Sequence, residues 1–398
     1  MSYSTQPGSS LLQHRLWLGP VVVGALSLIF FGLLFTRFPV LYDTDSYYHL
    51  AIARAYERHG IIDSLPWAQL SLLYEFADKE LLFHLALAPA ADTADPTAGG
   101  RWMLAGFNAA TATLLAYLGC RAIGSWGLLL PLLLYVGSLD FLGRMIRLRP
   151  EIFSLLLMLT ATWCAAGRRY RWLGVVAALY TWSYTAFHAL LGLCGAWFAQ
   201  QLWARGRREW GLLLYPLLGA SLALLLHPHF PHNLVIWKVQ NLDFFLDKGA
   251  LNVGGEINPQ STRDLLVDNL PWALGLLILW RSTTRRGGSR REEARLADFS
   301  GIAAAIFGLL FVAMQRFSIY FVPFATLALL YEMRRRGFIL TSQTRLPWRG
   351  RVPLTLCLAL VLVLGAPRTI ELLKNLAKHR TEIAREAEWG AFGRALPP

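Results

Sequence analysis

Apolar runs recur along this chain from Trp17 onward. Most are roughly 14 to 22 residues long, about what a helix needs to cross a bilayer, and 271–281 is shorter. No other feature restricts the fold as much. A segment in lipid must satisfy its own backbone N–H and C=O groups, which leaves only α-helices and closed barrels. These runs are Leu, Ala and Gly without period-2 alternation, so a barrel is excluded. The chain is 55% hydrophobic and 16% charged, where a soluble protein carries about 25% charged residues. The expected class is an all-α polytopic membrane protein.

The net charge of +13 raises the question of nucleic acid, but its distribution points to a bilayer. Arginines cluster in short loops: Arg168, Arg169 and Arg171; Arg205, Arg207 and Arg208; a run from Arg281 to Arg295; and Arg334 to Arg351. Cytoplasmic loops carry this bias. No nucleic-acid partner is expected. Cys120, Cys164, Cys194 and Cys357 lie in or beside apolar runs without metal-site spacing, and no disulfide is expected. The first apolar run ends without an A-x-A-like cleavage site and reads as a retained span.

About eleven spans result: 17–38, 102–119, 126–142, 152–166, 172–186, 188–203, 210–226, 271–281, 298–314, 318–332 and 352–366. Residues 1–16 form a cytoplasmic N-terminal tail, 17–366 a membrane domain, and 367–398 a tail with helical charge spacing (Glu371, Lys374, Lys378, Glu382, Glu386) suited to a membrane surface. From a cytoplasmic N-terminus, every Arg-rich loop falls inside. Two long connections, 41–101 and 227–270, and the turn Gly143 to Glu151 fall outside. The first connection contains amphipathic pieces, Tyr47 to Arg58 and Lys79 to Pro89. A loop of that length with its own helices is a functional element more often than slack. No internal repeat supports an inverted-repeat transporter.

Chemistry concentrates just after the first span, in Leu41-Tyr42-Asp43-Thr44-Asp45-Ser46-Tyr47-Tyr48-His49. Carboxylates at i and i+2 can hold a divalent cation, or one can deprotonate an acceptor while the other orients it. A solvated acidic turn is the plain alternative. Position favours the site reading, because acids held against a bilayer are costly unless used. Arg144, Arg147, Arg149 and Glu151 gather on the same predicted side. Guanidinium forks suit phosphate oxygens, and the alternative is an interfacial salt-bridge cluster. Glu151 can pair with Arg149 or act as a third acid.

Asp78, Glu80 and His84 share a helical piece, with Glu80 and His84 at i and i+4. They can add metal ligands or position an acceptor, although the pattern favours solvent-facing residues of an interfacial helix. His227-Pro-His-Phe-Pro-His232 places three imidazoles in six residues. The prolines force an extended path, so a capped helix end is favoured over zinc. Gly254-Gly255-Glu256 suggests a mobile second loop. Arg316 reads either as a phosphate contact or as a snorkelling anchor.

The order of first span, acidic pair, aromatic helix Asp45-Ser-Tyr-Tyr-His-Leu-Ala-Ile-Ala-Arg-Ala-Tyr-Glu-Arg-His-Gly60 and second span resembles the GT-C superfamily of membrane glycosyltransferases. Its members include the oligosaccharyltransferase catalytic subunit, protein O-mannosyltransferases and the lipid A aminoarabinose transferase. Leu81-Leu-Phe-His-Leu-Ala-Leu-Ala-Pro89 is similar to the short helix before their second span, and Met145-Ile-Arg-Leu-Arg-Pro-Glu-Ile-Phe-Ser154 to the R-P-E or R-P-D element of bacterial members. The likeness covers about 17–190. No WWD-type acceptor motif and no large C-terminal soluble domain is present.

The resemblance implies a GT-C-like bundle and a polyprenyl-phosphate-sugar donor. It also implies a glycan, lipid or protein acceptor, and an active site on the extracytoplasmic side of a plasma (inner) membrane. Asp43 and Asp45 would be catalytic, with Mg2+ or Mn2+ as a candidate cofactor on the same pair. Arg144, Arg147, Arg149 and Arg316 would bind the donor phosphate, and Tyr47, His49, Asp78, Glu80, His84 and Glu151 would support.

Overall fold

In a computed structural model, the structure describes residues 8–37, 41–65, 75–243, 258–281, 291–335 and 348–378. The described residues are helical throughout, apart from turns and one isolated bridge between Ser64 and Glu75. Helix α1 (Gly8–Arg37) is followed by two helices of the first long connection, α2 (Thr44–His59) and α3 (Leu81–Ala91). Both lie within a few residues of the amphipathic pieces expected there. Asp43 is the N-cap of α2, its carboxylate accepting from Ser46 N at 3.2 Å, which is why the helix begins at the acidic pair.

Helix α4 (Pro96–Ile123) starts earlier than expected, at Asp95, which caps Ala98 N at 2.9 Å with Pro96 at the first helical position. The expected span 126–142 is broken. A 3-10 turn (Gly124–Leu129) leads into α5 (Leu130–Gly137), and Ser138 then caps a separate α6 (Leu139–Met145). The 3-10 turn folds back tightly on α4: a Cβ on Gly127 would lie 2.0 Å from the Gly119 carbonyl carbon.

Helix α6 and α7 (Pro150–Ala166) meet at 107°. Leu148, Arg149 and Pro150 turn the chain there, and this break sits beside the start of α2.

The bundle continues with α8 (Tyr170–Ser183), α9 (His188–Arg205), α10 (Gly211–Leu225) and α11 (His232–Lys238). It closes with α12 (Thr262–Arg281), α13 (Arg291–Ala313), α14 (Ser318–Arg335) and α15 (Trp348–Lys378). Helix α12 begins well before the expected 271. Helix α15 runs unbroken past Pro367, where a boundary between span and tail was expected.

Among the described residues, four helical stretches are long and apolar enough to cross a membrane: Trp17–Arg37, Pro96–Gly137, Glu292–Ala313 and Val352–Asn375. The bent α6–α7 pair makes a fifth if counted as one span. Leu18, Val21, Val22, Leu26, Ile29 and Leu33 are each more than half exposed on α1. A continuous apolar flank of that kind belongs in lipid. These features mark a membrane protein. Small residues permit the closest helix approaches, as between α8 and α10, where a Cβ on Gly219 would lie 2.0 Å from the Gly174 carbonyl oxygen.

The two ends of the bundle differ. At the end away from α2, Glu209 accepts from Arg168 at 2.6 Å, Arg295 at 2.7 Å and Tyr170 at 2.7 Å. Arg295 also donates to the Ala165 and Ala166 carbonyls at the C-terminus of α7, at 3.0 and 2.9 Å, where a cation offsets the helix dipole. These ties are structural. Chemistry gathers at the other end.

Candidate active site

The start of α2 docks into the α6–α7 break. Ser46 is fully buried; its hydroxyl donates to Asp43 and accepts from Leu148 N at 3.1 Å. Arg149 then reaches across both acids. Its Nε donates to Asp43 Oδ2, and its Nη2 lies 3.0 Å from Asp45 Oδ2.

The two carboxylates therefore differ. Asp43 has one oxygen on Ser46 and the other on Arg149, and its side chain is 14% exposed. Asp45 has a side chain 56% exposed and lines a cavity of ≈ 780 Å³. Where a divalent cation would sit between the two acids, the Arg149 guanidinium already stands. The pair does not fit the metal site expected from its spacing.

The cavity gathers three kinds of wall. Asp45, Glu80 and Glu151 bring carboxylates, and Lys79, Arg149 and Arg316 bring positive charge. Ile306, Phe307, Leu310 and Met314 of α13 and its C-terminal turn supply an apolar side. Arg316 donates to Tyr184 Oη at 2.8 Å, and both residues line the space.

Glu151 is buried at the first turn of α7, with Arg144 Nη1 3.6 Å from its Oε2. It thus pairs with Arg144. Arg144 and Arg147 are not among the cavity's lining residues; Arg147 lies over the Tyr42 ring at 5.3 Å. Of the four expected phosphate-binding arginines, the fold brings Arg149 and Arg316 to the cavity.

Beside Asp45, the first connection buries a chain of polar groups. Asp78, Glu80 and His84 are 2%, 6% and 0% exposed, so the solvent-facing reading of this helix is overturned. Glu80 is the N-cap residue of α3, and its carbonyl accepts from His84 N at 3.1 Å. This turn packs the i, i+4 pair inward against α2 and α4. Asp78 Oδ2 lies 2.7 Å from His84 Nδ1 and accepts from Tyr56 Oη at 2.7 Å; its Oδ1 accepts from Glu80 N at 2.9 Å. His84 Nε2 lies 2.8 Å from His49 Nδ1. His49 lines the cavity.

Burial would raise Asp78, but the His84 imidazole and the hydrogen bonds from His84, Tyr56 and Glu80 N outweigh it and hold the carboxyl at about 2. Burial, the neighbouring His84 and Lys79 keep His49 well below the ordinary imidazole value. His49 is therefore neutral, and its 3.9 Å approach to Glu80 Oε2 is not an ion pair. Burial raises Glu80 above an ordinary glutamate; Lys79 and His84 oppose this, while Asp78 and Glu151 add to it.

The imidazoles of residues 227–232 pin the two long connections together. Asp78 N donates to His229 Nδ1 at 3.3 Å, and His229 Nε2 donates to the Ile62 carbonyl at 2.8 Å. His232 Nε2 reaches the Glu75 carbonyl at 2.9 Å, and His229 N donates to His227 Nδ1 at 3.2 Å. They act as a clasp at the end of α10. Gly254-Gly255-Glu256 lie outside the described residues.

Tyr47 makes only a local contact, its Oη accepting from Leu41 N at 3.3 Å, and it does not line the cavity; Tyr48 does. Sequence reasoning also missed Ser46, Lys79 and Tyr184. Ser46 alone carried a signal, since it stands at the third helical position, where an N-cap aspartate bonds. No protein-family model and no curated protein matches the chain.

Proposed function

We propose that the chain is a glycosyltransferase of the GT-C type, with about eleven spans in a plasma (inner) membrane. It moves a sugar from a polyprenyl-phosphate-linked donor to an acceptor on the extracytoplasmic side. One observation supports this above the rest: acids, cations and an apolar wall meet in a single cavity. A lipid-linked sugar phosphate needs all three. Its chain lies against apolar side chains, its phosphate meets fixed positive charge, and its anomeric carbon must face a base.

Asp45 is the base on this reading. It takes the proton of an acceptor hydroxyl, and that oxygen bonds to the anomeric carbon. The bond from that carbon to the phosphate oxygen breaks, its electron pair leaving with the phosphate, and the configuration inverts. Arg149 and Arg316 stabilise the charge that develops on the departing phosphate. Asp43 takes no proton, because both its oxygens are committed to Ser46 and Arg149. Its part is to hold Arg149.

The test is donor consumption in proteoliposomes loaded with polyprenyl-phosphate sugars. Wild type should consume donor and Asp45→Asn should not. Labelled lipid-sugar that crosses the membrane without being consumed would instead identify a flippase.

A further inference from the structure

The Asp45 mechanism leaves three buried groups of the first connection unused. His49 Nδ1, His84 Nε2 and a Glu80 carboxylate oxygen all lie within 4.8 Å of one another. We infer that His49, Glu80 and His84 form a binding site for a divalent transition-metal ion of the zinc class, with an open position toward the cavity. The donor set is two imidazole nitrogens and one carboxylate, a set that suits zinc and leaves a fourth place for a water or a substrate oxygen.

The spacing fits. Ligands at about 2.0–2.2 Å around a tetrahedral ion stand about 3.3–3.6 Å from each other. The His49 Nδ1–His84 Nε2 distance is 2.8 Å, and His49 Nδ1–Glu80 Oε2 is 3.9 Å. One pair must open and the other close, each by about half an ångström, to admit an ion.

The surroundings fit as well. Metal-binding imidazoles usually give their second nitrogen to a carboxylate, which fixes ring and tautomer. His84 does so: its Nδ1 is 2.7 Å from Asp78, which Tyr56 and Glu80 N hold in turn. Glu80 adds an independent observation. It is 6% exposed, and among the described residues its carboxylate accepts no hydrogen bond; Lys79 Nζ and His49 Nδ1 stand at 3.8 and 3.9 Å. A carboxylate on the cavity wall with only these longer contacts has lone pairs to give to a bound cation. Both Glu80 and His49 line the cavity, so an ion could reach them.

This site stands on its own geometry and not on sugar transfer. The experiment is equilibrium dialysis of the full chain, purified in detergent and stripped with chelator, against Zn2+, Mn2+ and Mg2+ in turn. Bound metal is counted by elemental analysis. Zinc should bind stoichiometrically and more tightly than either other ion.

Glu80→Gln keeps the backbone bond to Asp78 and the side-chain size, and should weaken zinc by at least about tenfold. His49→Ala should abolish binding, and Asp45→Asn should leave it intact. X-ray absorption of the zinc form should report nitrogen and oxygen neighbours without sulfur. A monodisperse wild-type protein holding far less than stoichiometric zinc would overturn the site, as would stoichiometric zinc unchanged in both Glu80→Gln and His49→Ala. Zinc bound by a protein that consumes no donor would remove the transferase and keep the metal site.

Discussion

Asp43→Asn separates holding from catalysis most sharply. Asparagine caps a helix about as well as aspartate, so the bond from Ser46 N should survive. What is lost is the charged hydrogen bond with Arg149 Nε, between side chains 14% and 13% exposed. Hydrogen bonds to charged groups are worth about 1.5–3 kcal/mol. Arg149 keeps its 3.0 Å contact with Asp45, so the loss should sit near the middle, ~2 kcal/mol. Asp43→Ala also removes the cap and should cost about 1 kcal/mol more. Asp45→Asn touches a side chain 56% exposed and should cost less than about 1 kcal/mol. The assay is reversible unfolding in mixed micelles followed by tryptophan fluorescence, run as a double-mutant cycle with Arg149→Met. Coupling between Asp43 and Arg149 should exceed that between Asp45 and Arg149. If Asp43→Asn unfolds within about 0.5 kcal/mol of wild type and shows no coupling, Asp43 is not the residue that holds Arg149.

Other parts of the structure make separate predictions. Glu209→Gln leaves the buried Arg295 without its counter-charge, and removing one partner of such a pair costs about 3–5 kcal/mol; a thermal scan in detergent should show the loss, and an unchanged midpoint would contradict it. Burial, with Asp140 and Asp264 nearby, raises Asp268 to about 6. The folded chain therefore binds this proton more tightly than the unfolded chain, so Asp268's contribution to stability falls as pH rises from about 4 to about 6 and then levels. Asp268→Asn should flatten that segment of a midpoint-against-pH curve, and an identical curve would refute the assignment. His229→Ala removes both the Ile62 and the Asp78 contacts; limited proteolysis should then cut the connection near Ile62 faster than in wild type, while equal rates would show that the clasp is unimportant.

Much of the architecture was legible because lipid leaves so few options. The apolar runs specified helices, and the acidic pair after the first run marked a helix start. Lengths were harder to read. Ser138 looks like any polar residue inside a span, yet its hydroxyl caps α6 through Phe141 N and donates to Asn269 Oδ1 at 2.6 Å, so the expected third span breaks there. Pro367 looked like a terminus and instead lies inside α15.

At the site, local spacing carried real information: Glu80 and His84 do share a face. Their burial was not legible, because it depends on Tyr56 and His49, supplied by another helix. The difference between Asp43 and Asp45 was likewise invisible, since it is made by Arg149, more than a hundred residues further along the chain. Arg144 and Arg147 resemble Arg149 in sequence, and only the turn at the α6–α7 break selects which of the three faces the cavity.

The measurement closest to the central claim is the rate of donor consumption by purified protein, wild type against Asp45→Asn, with polyprenyl-phosphate sugars and a membrane-derived acceptor extract. Loss of a general base lowers such a rate by about 100- to 10,000-fold, and Asp45→Asn should fall in that range while unfolding like wild type. A well-folded Asp45→Asn protein that turns over donor at the wild-type rate would contradict the account, and the acid that does the chemistry would have to be sought elsewhere in the cavity.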